Sequence, residues 1–280
     1  MSGRVRALSQ RDLASARAVL DGHPVRNVFV SSRLDIGGLN PAALGCKVYG
    51  FERDGELVAL CYAGSNIVPI GDDEEALDGF AGRFGPHRFS QSIMGAADAV
   101  MGLHRRLVAR WGAEWSAVRE LRAHQPLMVI EGQSPLAPDL RVQPARMEFF
   151  DAYFHAAVRM HTEEVGVSPL DPSHGYESFV MGLIRSGRAF AGYNEDSGRV
   201  WFKADIGCAH GRVCQIQGVW IDPELRGRGL SAPAMAQVVR LCRGTFPVVS
   251  LYVNDFNTRA RRLYEHVGFS TVDELATILY

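Results

Sequence analysis

Residues 213–231 read VCQIQGVWIDPELRGRGLS, and this stretch determines how the rest of the chain is interpreted. It begins with apolar and β-branched residues, breaks at Asp222-Pro223, passes through Arg226-Gly227-Arg228-Gly229 and continues into the helix-like pattern AMAQVVRLC. This order predicts a strand, a glycine loop and a helix. A glycine loop at a helix N-terminus directs backbone N–H groups and the positive end of the helix dipole at one anionic group. The stretch therefore predicts a diphosphate site.

Other phosphate-binding motifs do not match this loop. The chain has no GxxxxGK[ST] sequence, and its GxG lacks the third glycine of a dinucleotide fingerprint. A short glycine motif alone also fits an ordinary turn that happens to contain RGRG. A second, independent motif is needed to decide between these interpretations.

The C-terminal segment supplies that second motif. VVSLYV at 248–253 predicts a strand, and Asn257 follows at a position suited to cap a helix. Gly268-Phe269 ends this helix and leads into a last strand. Apolar residues recur at i, i+3, i+4 and i+7 along one face of the predicted helix, at Ala260, Leu263, Tyr264 and Val267.

Together the two motifs resemble those of the GNAT acetyltransferase superfamily. Arg226 and Gly229 match the family's Gln/Arg-x-x-Gly-x-Gly/Ala loop, while Ser231 stands where the family has Gly or Ala. The second motif matches Asn-x-x-Ala-x-x-Leu-Tyr-x-x-x-Gly-Phe at every fixed position. The resemblance covers the chain from about residue 140 to its end. It implies an α/β (α+β) GNAT fold, a mixed and mostly antiparallel sheet flanked by helices.

The resemblance also implies acetyl-CoA as co-substrate. In the family, the first strand diverges from the strand near Val253 and leaves a gap in which the pantetheine arm pairs with strand backbone. The backbone near Val219 is then placed to polarise the thioester carbonyl. The residues implied to bind the cofactor are Val219, Trp220, Ile221, Arg226, Gly227, Arg228, Gly229, Leu230, Ser231 and Asn257.

Tyr264 is implied to protonate the departing CoA thiolate, with packing on the helix face as the alternative interpretation. Many family members carry a Glu on the first strand as general base, but this strand offers only Gln215 and Gln217, which cannot take a proton. Glu163 and Glu164, beside His161 at the end of a predicted long helix, are therefore hypothesised to bind the acceptor amine or relay its proton. Solvated helix-end carboxylates are the alternative.

Two domains are predicted, covering residues 1–132 and 139–280 and separated by the polar, proline-bearing stretch 133–138. Hairpins are predicted around Asp54-Gly55 and around Asp196-Ser197-Gly198. The element order of the N-terminal half is that of a GNAT domain, although it lacks the glycine loop. It is predicted to be either a degenerate GNAT-like domain, giving two such domains in tandem, or an unrelated α/β domain.

Composition excludes several classes of protein. A net charge of −1 from 30 basic and 31 acidic residues argues against a nucleic-acid or anionic-membrane partner. No apolar run is long enough to cross a bilayer, and no secretory leader is recognised, so a cytoplasmic location is expected. The histidines form no HxxxH or HExxH pair and the five cysteines no CxxC pair, so no metal is expected.

The sequence thus predicts an N-acetyltransferase that moves acetyl from acetyl-CoA to a primary amine by direct attack. A non-catalytic acyl-CoA sensor or scaffold and a transferase with a different acyl donor are the alternatives. The acceptor, an amine-bearing small molecule or a protein or peptide, stays open, and the sequence does not indicate an oligomeric state.

Overall fold

The computed structural model describes residues 3–170, 172, 174–194 and 197–280. Asp196 of the second predicted hairpin turn lies outside these residues. The helices are α1 Leu13–Asp21, α2 Val28–Gly37, α3 Pro41–Leu44, α4 Glu74–Ala81, α5 Ala97–Trp111, α6 Ala113–Ser116, α7 Phe150–Val165, α8 Gly175–Arg185, α9 Ser231–Arg243 and α10 Thr258–Val267. The strands are β1 Arg4–Ala7, β2 Lys47–Arg53, β3 Glu56–Ala63, β4 Asn66–Ile70, β5 Ser92–Ala96, β6 Glu120–Ile130, β7 Val142–Pro144, β8 Ala189–Tyr193, β9 Val200–His210, β10 Val213–Ile221, β11 Val248–Tyr252 and β12 Ser270–Leu279.

The chain forms two compact units. The first contains the chain up to Met128 together with Tyr252–Asn257 and Thr271–Tyr280, and the second contains Val129–Leu251 and Thr258–Ser270. The last strand falls in the first unit because β12 pairs antiparallel with β5, with Leu275 opposite Ala96. The domain boundaries predicted from the sequence, residues 1–132 and 139–280, remain a prediction.

The first unit is a sheet of order β1-β2-β3-β4-β5-β12-β6. The β4–β5 pairing is parallel, and β1 to β4 and β5–β12 pair antiparallel. Alternation along β3 shows that both faces are covered, since side chains of a strand alternate between faces. Ala59 and Cys61 pack in a cluster with α4 and α5, whereas Leu60 and Tyr62 pack in a cluster with α1 and α2.

The second unit is a sheet of order β11-β10-β9-β8-β7. Its pairings are antiparallel except for β10 with β11, which is parallel. Helices α7 and α8 bury Tyr153, Ala157, Val180 and Leu183 in one cluster with Ala189 and Ala191 of β8. The mixed, mostly antiparallel arrangement predicted for this half is confirmed.

No helix among the described residues is both long and apolar enough to span a lipid bilayer.

Candidate active site

One edge of strand β10 is paired with a neighbouring strand along only part of its length. Its parallel pairing with β11 runs over Val213, Cys214 and Gln215, whereas its antiparallel pairing with β9 continues to Ile221. Exposure changes where the β11 pairing stops, because residues 213–216 are buried while Gln217 is exposed and the next two residues are partly exposed. An extended ligand can therefore reach the backbone of the second half of β10, as an added strand would.

A β-bulge interrupts β10 in this open segment. Gly218 and Val219 lie between the pairs Gln217–Asp205 and Trp220–Lys203, so two residues of β10 oppose the single residue Ala204 of β9. Gly218 has φ +59°, a left-handed backbone conformation that residues with a Cβ adopt at a cost. The bulge bends the strand beside the positions predicted to meet the thioester.

The predicted phosphate loop connects β10 to α9. Gly227 and Gly229 have φ of +80° and +75°, and a Cβ at either position would meet no atom within 4 Å. The loop is therefore open on that side. Leu230 is the N-cap of α9 and gives no side-chain cap, so Ser231 begins the helix with N–H groups that no cap satisfies. This arrangement fits a bound diphosphate.

Glu163 of α7 is held against this loop. One carboxylate oxygen pairs with the guanidinium of Arg226, and the other accepts a hydrogen bond of 3.2 Å from Trp220 Nε1. Arg226 Nε also donates to the carbonyl of Ile221 at 3.1 Å. These contacts tie the first residue of the RGRG sequence to α7 and to the end of β10. Arg228 is exposed on the same loop.

Tyr264, the predicted acid, lies on α10 with only 8 % of its surface exposed, and its ring packs edge-on against Phe269. Burial raises the pKa of its hydroxyl above the ordinary value, and the negative charge of Glu164 raises it further. The hydroxyl therefore keeps its proton at neutral pH and can donate it.

Glu164 acts on other groups of the same region. Burial lowers the pKa of the half-buried His161 on α7, and the charge of Glu164 partly offsets this. The His161 ring lies edge-on to Tyr176 of α8, with ring centres 5.3 Å apart. His161 is consequently neutral near pH 7 and able to accept a proton. From the sequence alone His161 is only a neighbour of the glutamates, and its burial in the fold is what suits it to this role.

Asn257 immediately precedes α10, and its N–H donates to the carbonyl of Asn254 at 2.9 Å. Its predicted contact with the cofactor remains a prediction. Gln215 is buried near Cys208 on β9, and Gln217 is exposed. Neither side chain can act as a base, so the missing carboxylate of β10 is not replaced on that strand.

A buried ionic network underlies the bulge, and the sequence did not predict it. Lys203 Nζ donates to Asp205 Oδ2 at 2.6 Å and to the carbonyl of Gly218 at 3.0 Å. Tyr153 of α7 donates its hydroxyl to the other oxygen of Asp205. Burial and the charge of Asp205 raise the pKa of Tyr153 well above its ordinary value, so it stays a donor. Asp205 is thus engaged inside the unit and is not placed to take a proton from an acceptor.

A cavity of about 860 Å³ adjoins the loop at Leu225 and Leu230. Arg141 and Arg146 line it, but Arg141 pairs with Asp139 at 2.6 Å and Arg146 with Glu148 at 2.9 Å. Both guanidinium groups are therefore already matched by carboxylates, and the cavity does not form a strongly cationic site. No group of three potential metal ligands occurs among the described residues.

Comparison with known proteins agrees with this geometry. Residues 151–269 match the acetyltransferase (GNAT) family, and residues 46–153 match a domain of unknown function, DUF4081. A mycothiol acetyltransferase of Thermobispora bispora is 43 % identical over 68 residues, which is 23 % of this chain and 23 % of that enzyme. The match thus spans about a quarter of the curated relative.

Two solved structures cover nearly the whole chain. A GCN5-related N-acetyltransferase from Sphaerobacter thermophilus is 16 % identical with a TM-score of 0.60, covering 99 % of this chain and 95 % of that one. A tandem GNAT protein from the clavulanic acid biosynthesis pathway is 10 % identical with a TM-score of 0.53, covering 99 % and 98 %. The predicted GNAT fold is confirmed, and the likeness to the tandem protein extends through the N-terminal half.

Proposed function

We propose that this protein transfers acetyl from acetyl-CoA to a primary amine of a small molecule, because residues 151–269 match the GNAT acetyltransferase family. The observation that carries the proposal is the open edge of β10 after Gln215, which leads directly into the glycine loop and the uncapped start of α9. One extended thioester ligand with a diphosphate fits both features.

The backbone of Val219, Trp220 and Ile221 pairs with the pantetheine arm, and residues 226–231 bind the pyrophosphate. Positioning the thioester in this way converts a bimolecular reaction into attack within a ternary complex. The amine nitrogen attacks the carbonyl carbon, the C–S bond breaks, and Tyr264 donates its proton to the leaving thiolate. The hydroxyl of Tyr264 is protonated at neutral pH, as a proton donor must be, while its raised pKa makes it a weaker acid than an exposed tyrosine.

On the acceptor side, Glu164 attracts the ammonium form of the amine, which loses one proton to water to become the nucleophile. The neutral His161 takes the second proton, which the nitrogen loses after it has attacked the carbonyl. The charge of Glu164 offsets part of the lowering of the His161 pKa and raises the pKa of Tyr264, which supports assigning Glu164 to the acceptor side. The contacts of Glu163 support a role in holding the loop, and its predicted role toward the acceptor remains a prediction.

The acceptor class is proposed from a relative. The Thermobispora bispora enzyme is named a mycothiol acetyltransferase, which favours an amine-bearing small molecule over a protein terminus. The experiment first measures acetyl-CoA binding by calorimetric titration. It then measures the rate of CoA release in the presence of a panel of small amines and peptides. We expect binding and turnover with a small amine.

Tyr264→Phe should keep acetyl-CoA binding within about twofold and lower kcat about a hundredfold or more, because only proton donation is removed. Tyr193→Phe is the matched control, a partly buried tyrosine of the same unit that packs on Phe149 instead. Acetyl-CoA binding without transfer to any amine would instead support a sensor, and a stronger competitor among other acyl-CoA esters would support a different donor.

A further inference from the structure

The side chain of Lys203 is entirely buried, and its partner Asp205 is 4 % exposed. Removing two charges from water can cost more than a short ion pair recovers, and apolar replacements of such pairs are often neutral or stabilising. This pair is therefore poorly explained by stability alone. Its contacts indicate a role at the active site, because the Lys203 ammonium also binds a backbone carbonyl of β10.

That carbonyl belongs to Gly218, at the bulge of β10. The ammonium lies 3.0 Å from the carbonyl oxygen, and a Cβ on Gly218 would come within 2.9 Å of Lys203 Nζ and of Asp205 Oδ2. Only a glycine lets the backbone approach the ion pair this closely. The hydroxyl of Tyr153 and its ring, 5.4 Å from Lys203 Nζ, fix the pair from α7.

The peptide that Lys203 holds joins Gly218 to Val219. A trans peptide is planar, so its N–H points opposite to its carbonyl. With the Gly218 carbonyl directed at the buried ammonium, the Val219 N–H points away from Lys203. A charge-assisted bond to a carbonyl also polarises the peptide and strengthens the N–H as a donor.

We propose that Lys203 is a positioning residue for acetyl transfer: through the Gly218 carbonyl it orients and polarises the Gly218–Val219 peptide, whose N–H then stabilises the thioester oxyanion. Asp205 and Tyr153 keep the ammonium in place. The proposal rests on the acetyltransferase function proposed above. Lys203 exchanges no proton with substrate in this mechanism, and its effect passes entirely through the peptide.

The test uses the full chain carrying Lys203→Met together with Asp205→Asn, so that no unpaired charge is left inside and Tyr153 keeps an acceptor. The matched control is Ser250→Ala. Ser250 is equally buried and donates at 3.0 Å to another β10 carbonyl, that of Cys214, where β10 still pairs with β11. Ser250→Ala therefore removes a buried but uncharged hydrogen bond to a β10 carbonyl outside the bulge.

We expect the double variant to lower kcat about 10- to 100-fold, less than full removal of an oxyanion donor, with the KM for acetyl-CoA within about twofold. The ¹⁵N shift and hydrogen-exchange rate of the Val219 amide should change in the free protein. Ser250→Ala should keep kcat within about twofold and leave that amide unchanged.

An active wild type with an equally active double variant overturns the role of Lys203, as does an unchanged Val219 amide. A loss of kcat that Ser250→Ala reproduces also overturns it, because the loss would then reflect general destabilisation. A wild-type protein that transfers acetyl to no amine overturns the proposed function itself, which distinguishes the two failures.

Discussion

Neighbouring glutamates of α7 provide a paired test, because Glu163→Gln and Glu164→Gln remove the same charge at adjacent positions. Glu163 contacts Arg226 and Trp220 at the phosphate loop, whereas the charge of Glu164 acts on His161 and Tyr264. We therefore expect the two substitutions to alter different kinetic constants.

For Glu163→Gln the magnitude follows from the exposure of the ion pair. The side chains of Arg226 and Glu163 are 36 % and 40 % exposed, and pairs of this kind contribute about 0.2–1 kcal/mol. At about 1.4 kcal/mol per tenfold, the KM for acetyl-CoA should rise about 1.5- to 5-fold. The pH profile should not move, since neither His161 nor Tyr264 loses its charged neighbour.

For Glu164→Gln, the direction of the expected shift in the pH profile follows from the pKa of His161. The carboxylate stabilises the imidazolium and raises the pKa of His161, so its removal lowers that pKa further below the ordinary value of about 6.5. The neutral base then persists to lower pH, and the acidic limb of kcat/KM for the acceptor should shift to lower pH. The KM for the acceptor should rise because an attractive charge is lost.

The assay is the initial rate of CoA release from about pH 5 to 9, with each substrate varied at each pH. An acidic limb that stays in place in Glu164→Gln would refute the proposed role of His161. A shift of that limb in Glu163→Gln, with the acetyl-CoA KM unchanged, would show that the roles of the two glutamates are reversed.

Further predictions concern the bulge, the loop and the buried tyrosine. Gly218→Ala should lower the free energy of unfolding by about 2–4 kcal/mol in urea titrations, whereas Gly211→Ala, with φ +54° and open space around it, should cost only about 1 kcal/mol. Arg228→Ala should weaken acetyl-CoA binding about fivefold at low salt in calorimetry, with a smaller difference at about 0.5 M salt. The raised pKa of Tyr264 contributes stability below its unfolded pKa of about 10 that is lost as the pH rises further, so Tyr264→Phe should flatten the alkaline decline in unfolding free energy. Equal alkaline slopes, a salt-independent loss in Arg228→Ala, or equal costs for both glycine substitutions would contradict the respective reasoning.

Local pattern was enough to predict much of the second unit. The loop glycines precede α9 as predicted, and the apolar spacing around Tyr264 places it on the buried face of α10. Both predictions depend on residues that are close together in the chain, where hydrophobic periodicity and turn-forming residues are informative.

Partners distant in the sequence could not be predicted in the same way. Lys203 and Asp205 are two residues apart in β9 and therefore share a face, but the sequence did not predict that they pair. Their hydroxyl partner Tyr153 lies 52 positions from Asp205, and no local pattern identifies it. Likewise, Glu163 and Glu164 are adjacent on a helix and therefore point in different directions, but the sequence does not indicate which of them contacts the glycine loop. The packing of α7 on β10 decides this.

The position of β12 has a consequence for how the protein is made. This strand lies between β5 and β6 in the sheet of the first unit, and the buried Gln125 and Thr277 side chains that join β6 and β12 are 152 positions apart. During translation, β1 to β6 are synthesised before β12. The sheet of the first unit therefore stays incomplete between β5 and β6 until the residues after 270 emerge from the ribosome. The second unit's β7 to β11 are synthesised earlier than the strand that completes the first, so the unit that begins first is expected to finish folding last.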